Sequence, residues 1–114
     1  MIENIKSKHT DYLFKAIMSL ENIEEFYKFF DDLCTVAEIE DMSNRLQAAK
    51  MLRSGEIYSE ISAKTGQSTA TISRVKRCLK YGSNGYNIVL NRIEGREDER
   101  NEKGEKNGKN GKDG

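Results

Sequence analysis

The chain reads YSEISAKTGQSTATISRVKR over residues 58–77. Gly66 divides this stretch into two short helical patterns, and glycine readily adopts the positive φ that a sharp turn between crossing helices needs. Ser59 is the predicted N-cap of the first helix. Its small apolar face is predicted to consist of Ile57, Ile61 and Ala63. The arrangement indicates a helix-turn-helix over about 57–80.

The second helical pattern starts at Gln67 or Ser68 and has two different sides. Apolar residues at helical spacing predict a buried stripe of Ile72, Val75 and Leu79. The opposite side is small near its start and cationic near its end, with Ala70, Ser73, Arg74 and Arg77, flanked by Thr69 and Lys80. This distribution is typical of a DNA-reading helix, whose first turns touch base edges while later residues meet phosphates.

The same face yields candidate DNA contacts. Base contacts are predicted for Thr69, Ala70 and Ser73, and for Gln67 if its side chain faces the groove. Phosphate contacts are predicted for Lys64, Arg74, Lys76, Arg77 and Lys80. The alternative is an amphipathic helix with an ordinary solvated basic face. The complete helix–glycine–helix arrangement favours the DNA-reading interpretation over that alternative.

Charges are unevenly distributed along the chain, although the formal net charge is zero. Residues 1–60 hold 7 basic and 12 acidic side chains, whereas residues 61–93 hold 6 basic and no acidic ones. Residues 94–114 hold 6 basic and 7 acidic side chains. A cationic segment in an otherwise acidic protein indicates a surface that binds a polyanion.

Composition favours one small domain over residues 1–93, since 114 residues with 36% apolar side chains cannot fill two cores. The chain has no proline and no alternating strand pattern, so we expect an all-α fold. The absence of an apolar run of secretory or transmembrane length predicts a cytoplasmic protein. Cys34, Cys78 and His9 match no metal-site spacing. No nucleophile–histidine set, carboxylate pair or phosphate loop indicates an enzyme, and no cofactor is expected.

Helical periodicity predicts three helices before the helix-turn-helix and one after it. The first covers 10–20, the second begins after Asn22 and carries an aromatic stripe, and the third opens with a capping box at Thr35 and ends at Ser54. A short sixth helix around 86–93 is apolar on most sides. The outer helices carry more apolar surface than a small monomer can cover, which predicts a homodimer.

The end of the chain, residues 94–114, alternates charged residues with glycine and asparagine and contains no large apolar residue. No core can form from such a composition. We therefore predict a disordered, solubilising tail with weak helical character near its start.

Residues 52–56 together with GQSTATISR at 66–74 resemble the tryptophan repressor superfamily, specifically its YerC/YecD branch of repressor-related proteins. ATISR at 70–74 is the closest match, and the resemblance covers about residues 10–93. It implies a six-helix, Trp-repressor-like bundle that forms an intertwined homodimer, in which the fourth and fifth helices read DNA.

The resemblance also implies candidate residues for an effector pocket. Tryptophan-responsive members hold the amino acid with a threonine that opens the third helix and two arginines, one in that helix and one in the reading helix. These roles fall on Thr35, Gln47 and Arg74, with Arg45 two residues before Gln47. Because Gln47 cannot grip a carboxylate as a guanidinium does, we expect DNA binding without L-tryptophan, or control by a different small molecule.

Together these features predict a cytoplasmic, homodimeric transcription regulator, a repressor by resemblance, that binds double-stranded DNA in the major groove without catalysis. Two alternatives stay open. One is a helical protein-interaction adaptor whose basic face is incidental. The other is an accessory DNA-binding head for a factor on another chain.

Overall fold

The computed structural model describes residues 2–108 of the chain. Its elements are a short 3₁₀ turn at Ile2–Asn4 and six helices, α1 (Lys8–Met18), α2 (Ile23–Leu33), α3 (Val36–Arg53), α4 (Tyr58–Thr65), α5 (Thr69–Tyr81) and α6 (Gly85–Gly108). The predicted six-helix, all-α fold is confirmed, and no strand occurs among the described residues.

Side-chain caps explain where the first three helices begin. Ser7 and Asn22 each accept a hydrogen bond from the backbone N–H three residues later. Thr35 and Glu38 form the predicted capping box, in which the Glu38 N–H donates to Thr35 Oγ1 at 3.1 Å and the Thr35 N–H donates to Glu38 Oε1 at 2.8 Å. The backbone N–H of Thr35, and then its hydroxyl, hold the pKa of the Glu38 carboxyl below its usual value.

The core lies where α3, α4, α5 and α6 meet. One cluster of buried side chains joins α3 to the helix-turn-helix and consists of Ala48, Met51, Ile61 and Ile72. A second cluster joins α3 to α5 and α6 and consists of Ala49, Val75 and Leu90. The two consecutive alanines of α3 are fully buried, because their small side chains let helices pack closely on neighbouring sides of α3.

The outer helices α1 and α2 contribute little to this core. All substantial helix–helix contacts join α3, α4, α5 and α6, and neither outer helix contains a fully buried residue. Large apolar side chains are exposed on both, including Tyr12, Phe14, Met18, Ile23, Tyr27 and Leu33. A single subunit therefore leaves a considerable apolar surface uncovered.

The connection between α5 and α6 is tight. The Gly82 N–H donates to the Cys78 carbonyl at 2.9 Å, and a Cβ at position 82 would lie 2.6 Å from that oxygen, so this position requires glycine. Asn84 has a φ of 71°, in the left-handed region that asparagine tolerates better than most residues. Its carbonyl accepts the Ile88 N–H at 3.0 Å and so opens α6.

The helix α6 extends beyond the predicted end of the domain at residue 93. The helix continues to Gly108, because the glutamate, lysine and arginine residues of this segment are good helix formers even without a core beside them. Glu94 still contacts Arg53 at 3.1 Å, one residue beyond the predicted end of the domain. Residues 109–114 lie outside the described part of the chain, and the domain boundary at 93 stays a prediction.

Candidate nucleic-acid interface

Side-chain hydrogen bonds hold the turn between α4 and α5. Gly66 has a φ of 74°, as the helix-turn-helix pattern predicts. The buried Thr65 hydroxyl donates to the Ile61 carbonyl at 2.7 Å and accepts from the Gln67 N–H at 3.2 Å. Ser62 Oγ donates to the Gln67 carbonyl at 2.8 Å. Because both backbone groups of Gln67 are bonded to α4, α5 leaves the turn in a defined direction.

The start of α4 differs from the prediction. Ile57 occupies the N-cap position and makes no side-chain cap hydrogen bond, whereas Ser59, the predicted cap, lies inside the helix. Ile57 is 61% exposed and Ala63 is also exposed, so the predicted apolar face is wrong at both positions. The reason is that α4 meets the core along one narrow line, which Ile61 occupies.

The two-sided character predicted for α5 is present in the structure. Its N-cap is Ser68, whose hydroxyl accepts the Thr71 N–H at 3.1 Å. Ile72 and Val75 are buried and Leu79 is half-buried. The opposite side, which we call the α5 face, is exposed and consists of Thr69, Ala70, Ser73, Arg74, Arg77 and Lys80. A helix with one free side is what the major groove of duplex DNA accommodates.

Two of the predicted phosphate contacts are engaged within the protein. Lys64 Nζ lies 3.2 Å from Glu56 Oε1, and Lys76 Nζ lies 5.7 Å from the centre of the Tyr58 ring in a cation–π contact. The Lys64 side chain is 63% exposed, so its ion pair is a surface pair that contributes little to stability. The other three cations, all on the α5 face, are Arg74, Arg77 and Lys80.

Of the three predicted effector residues, Arg74 lines a cleft beside α5. A narrow cleft of about 170 Å³ beside α5 is lined by Arg45, Thr71, Arg74, Val75, Cys78 and Tyr86. Neither Thr35, whose cap accounts for its position, nor the exposed Gln47 lines this cleft. Arg45 of α3 lines the same cleft as Arg74. It precedes the buried Ala49 by one helical turn and therefore lies on the side of α3 that faces α5.

The two cysteines lie on different elements, Cys34 at the end of α2 and Cys78 on α5. Cys34 is half-buried, Cys78 is exposed, and neither forms a disulfide. Among the side chains that the structure describes, those of residues 2–97 and 100, no three from histidine, cysteine, aspartate or glutamate lie together as a metal site requires. The helices within residues 2–108 include none that is both long enough and apolar enough to span a membrane.

The fold and the α5 face define a helix-turn-helix protein in which α4 and α5, joined at Gly66, pack on α3 and leave one side of α5 exposed. The chain belongs to the Trp repressor protein family, whose model matches residues 8–94. The resemblance seen in the sequence is thereby confirmed. Membership of this family indicates a DNA-binding regulator rather than an enzyme.

Three relatives share most of the chain. The uncharacterized protein YerC of Bacillus subtilis (strain 168) is 51% identical over 98 residues, which cover 86% of this chain and 94% of YerC. The crystal structure of a candidate Trp repressor from Staphylococcus aureus has a TM-score of 0.78 and 52% identity, over 82% of this chain and 94% of that one. The crystal structure of a TrpR-like protein from Eubacterium eligens ATCC 27750 has a TM-score of 0.76 and 48% identity, over 80% of this chain and 94% of that one.

Proposed function

We propose that this protein is a transcription regulator, acting as a repressor, that binds duplex DNA as a homodimer and inserts α5 of each subunit into a major groove. The observation that carries the proposal is the α5 face, an exposed row of small side chains followed by cations. The hydrogen bonds from α4 to the backbone of Gln67, and the buried Ile72 and Val75 on the other side of α5, hold this face in place. A role on the chromosome implies a cytoplasmic location.

The first turns of the α5 face supply the base contacts. Thr69 and Ala70 carry methyl groups that can pack against a thymine methyl, and Ser73, one turn later, can donate to or accept from several base edges. Gln67 is half-buried and its backbone is bonded to α4, so its side chain can reach a base only from the rim of the turn. We retain Gln67 as a peripheral base contact.

The cations behind these residues supply the phosphate contacts. Arg74, Arg77 and Lys80 lie on a helix that contains no acidic residue, so nothing on α5 itself repels a phosphate. Lys64 and Lys76 add to these contacts when they leave Glu56 and Tyr58 and contact phosphate oxygens instead. Such an exchange costs little at Lys64, because an exposed ion pair contributes only about 0–1 kcal/mol.

Uncovered apolar surface supports the homodimer. An open groove of about 670 Å³ lies between α2 and α3. Its lining is mainly apolar and includes Ile23, Phe26, Tyr27, Phe30, Val36, Ile39, Met42 and Leu46. A second copy is the partner that we propose for this surface, because two-fold symmetry would also place two α5 faces on one side of the duplex, roughly 34 Å apart.

The cleft lined by Arg45 and Arg74 is where we propose that any effector would bind. Two guanidinium groups provide the grip on a carboxylate that Gln47 lacks. Its volume of about 170 Å³, however, lies below the roughly 300–1,000 Å³ of most ligand pockets. We therefore propose that DNA binding does not require L-tryptophan and that any effector is a smaller anion. Because the chain contains no tryptophan, binding of added tryptophan can be followed by its own fluorescence.

Binding-site selection from a random duplex pool at physiological salt, with and without tryptophan, tests the proposal. We expect a two-fold symmetric motif with half-sites about one helical turn apart under both conditions. Arg77→Ala should then weaken binding to all sequences and flatten its salt dependence, whereas Ser73→Ala should mainly change the preferred sequence.

Two outcomes would contradict the proposal. Weak binding that yields no motif and disappears as salt rises would favour the adaptor, with the basic face acting only as a non-specific tether. A motif without symmetry would favour the accessory DNA-binding head, which needs no palindromic target.

A further inference from the structure

Asn87, in the first turn of α6, reaches the C-terminal end of α5. Its Nδ2 donates to the Leu79 carbonyl at 3.0 Å and to Asn84 Oδ1 at 3.1 Å. Its Oδ1 accepts a longer hydrogen bond, at 3.4 Å, from Arg53, the last residue of α3. One half-buried side chain thus joins α6 to the DNA-reading helix, to the α5–α6 turn and to α3.

The neighbours of Asn87 determine its amide orientation. A flipped amide would place its oxygen against two acceptors, the Leu79 carbonyl and Asn84 Oδ1, and its NH₂ group against the Arg53 guanidinium. The Leu79 carbonyl is one of the four at the end of α5 that have no partner within the helix. Asn87 therefore supplies a partner that the helix itself cannot provide.

Asn87 is the member of this network that contacts α5. Arg53 binds α6 more closely elsewhere, since its Nη2 donates to Asn91 Oδ1 at 2.6 Å and lies 3.1 Å from Glu94 Oε1. Those contacts hold α6 against α3 whether or not Asn87 is present. The position of α5 relative to α6 depends instead on the packing of Val75 against Leu90, on the tight turn that Gly82 permits and, as the polar contact between the two helices, on the Asn87–Leu79 hydrogen bond.

The angle between α5 and α6 has a direct consequence for the proposed dimer. α6 exposes Ile88, Val89 and Ile93 by 42%, 44% and 40%, so it contributes to the apolar surface that a second copy would cover. The orientation of α5 against α6 then determines the separation of the two reading helices. We propose that Asn87 is a positioning residue for α5 and thereby sets the half-site spacing that the dimer accepts on DNA. This inference rests on the proposed function.

Operators that differ only in spacing test this role. The selected operator is compared with versions in which one base pair is added or removed between the half-sites, for the wild-type protein, Asn87→Ala and Asn91→Ala. Asn91→Ala is a matched control, because Asn91 lies one turn further along α6 and binds the same Arg53 but has no hydrogen bond to α5. Binding to random duplex DNA serves as a measure of intact phosphate contacts.

We expect Asn87→Ala to reduce the preference for the correct spacing by about twofold to tenfold, the effect of losing one neutral hydrogen bond. Asn91→Ala should keep the wild-type preference, and binding to random DNA should change in neither variant. An unchanged preference in Asn87→Ala would overturn the proposal. So would an equal loss in both variants, since that result would assign the effect to Arg53 and α6.

A measurement without DNA separates failure of this inference from failure of the proposed function. If the wild-type protein selects no operator, the proposed function fails, and amide hydrogen exchange in the free protein decides the positioning role. Exchange of the amides at residues 80–82 should be about twofold to tenfold faster in Asn87→Ala than in Asn91→Ala. Equal exchange rates in the two variants would overturn the role of Asn87.

Discussion

Lys64 Nζ lies 3.2 Å from Glu56 Oε1, and this ion pair places a carboxylate beside a lysine that the sequence assigns to a DNA phosphate. Glu56 precedes α4 and Lys64 lies in its last turn, so the pair runs along the first helix of the helix-turn-helix. The contact means that the cationic surface includes an internal anion, which would compete with a DNA phosphate for Lys64.

Glu56→Gln should release Lys64 and strengthen DNA binding. We expect the dependence of log K on log salt to become steeper by up to about 0.9, the value for one additional phosphate contact. Glu60→Gln is the matched control, because it removes an exposed carboxylate from α4 itself without freeing Lys64. Titrations of a fluorescent operator at several salt concentrations measure the affinity and its salt dependence for each variant. Equal slopes for the two variants would show that Lys64 does not reach the DNA.

Ser68→Ala should lower the free energy of unfolding by about 1 kcal/mol, because the Thr71 N–H loses its cap acceptor. Ser59→Ala is the control, since Ser59 lies inside α4 and does not cap it. Urea unfolding at one fixed protein concentration compares the variants, as the stability of a dimer depends on concentration. A larger loss at Ser59 than at Ser68 would refute the observed start of each helix.

Gly82→Ala should destabilise the protein by about 1–3 kcal/mol, the usual cost of overpacking, because the new Cβ would lie 2.6 Å from the Cys78 carbonyl. Gly85→Ala should be neutral or stabilising by up to about 1 kcal/mol, since its Cβ would meet no atom within 4 Å. Thermal unfolding followed by circular dichroism measures the difference. Similar melting temperatures for both variants would contradict the tight α5–α6 turn.

Ile61→Ala should cost about 2–5 kcal/mol, because Ile61 is fully buried in the cluster that joins α3 to α4 and α5. Ile57→Ala removes the same atoms from a side chain that is 61% exposed, and should change stability by no more than about 0.5 kcal/mol. Chemical unfolding measures the free energy of unfolding of both variants and of the wild type. The prediction fails if Ile57→Ala is as destabilising as Ile61→Ala.

Glu38→Gln should reduce stability at neutral pH and have less effect in acid. The folded state lowers the pKa of Glu38, so its charged form contributes stability above the unfolded-state pKa of about 4.3, and this contribution is lost as the pH falls through the lower folded-state pKa. The wild type should therefore melt at a higher temperature than Glu38→Gln at pH 7, and this difference should become small at pH 3. Glu40→Gln, another glutamate of α3, controls for the loss of one charge. A difference between wild type and Glu38→Gln that persists at pH 3 would contradict this account.

The predictable features are those that depend on neighbours within about one helical turn. The Thr35 capping box and the left-handed Gly66 follow from residue types a few positions apart, and both are confirmed. The buried stripe of α5 extends over several turns, which makes its periodicity informative. α4 has only 8 residues, so periodicity could not determine its buried side, and Ile57 and Ser59 were misassigned.

The remaining site features depend on how helices cross. The resemblance placed the third-helix position on Gln47 and named Arg45 only as its neighbour, whereas the spacing of Arg45 from Ala49 marks the side of α3 that faces α5. No sequence signal identified Asn87, because its function requires α5 and α6 to lie side by side. Composition predicts a tail from residue 94, whereas α6 continues to Gly108, and the domain boundary stays a prediction.

The sequence by itself determined an all-helical chain, the start of α5, its exposed cationic face and membership of the Trp repressor family, because caps, turns and helical periodicity act over three or four residues. Only the tertiary structure decided which cations are already engaged, with Glu56 and Tyr58 as their partners. It likewise decided that Arg45 accompanies Arg74 and that Asn87 holds the end of α5. Those contacts that join different helices depend on how the helices pack, to which the buried alanines of α3 and the tight α5–α6 turn both contribute.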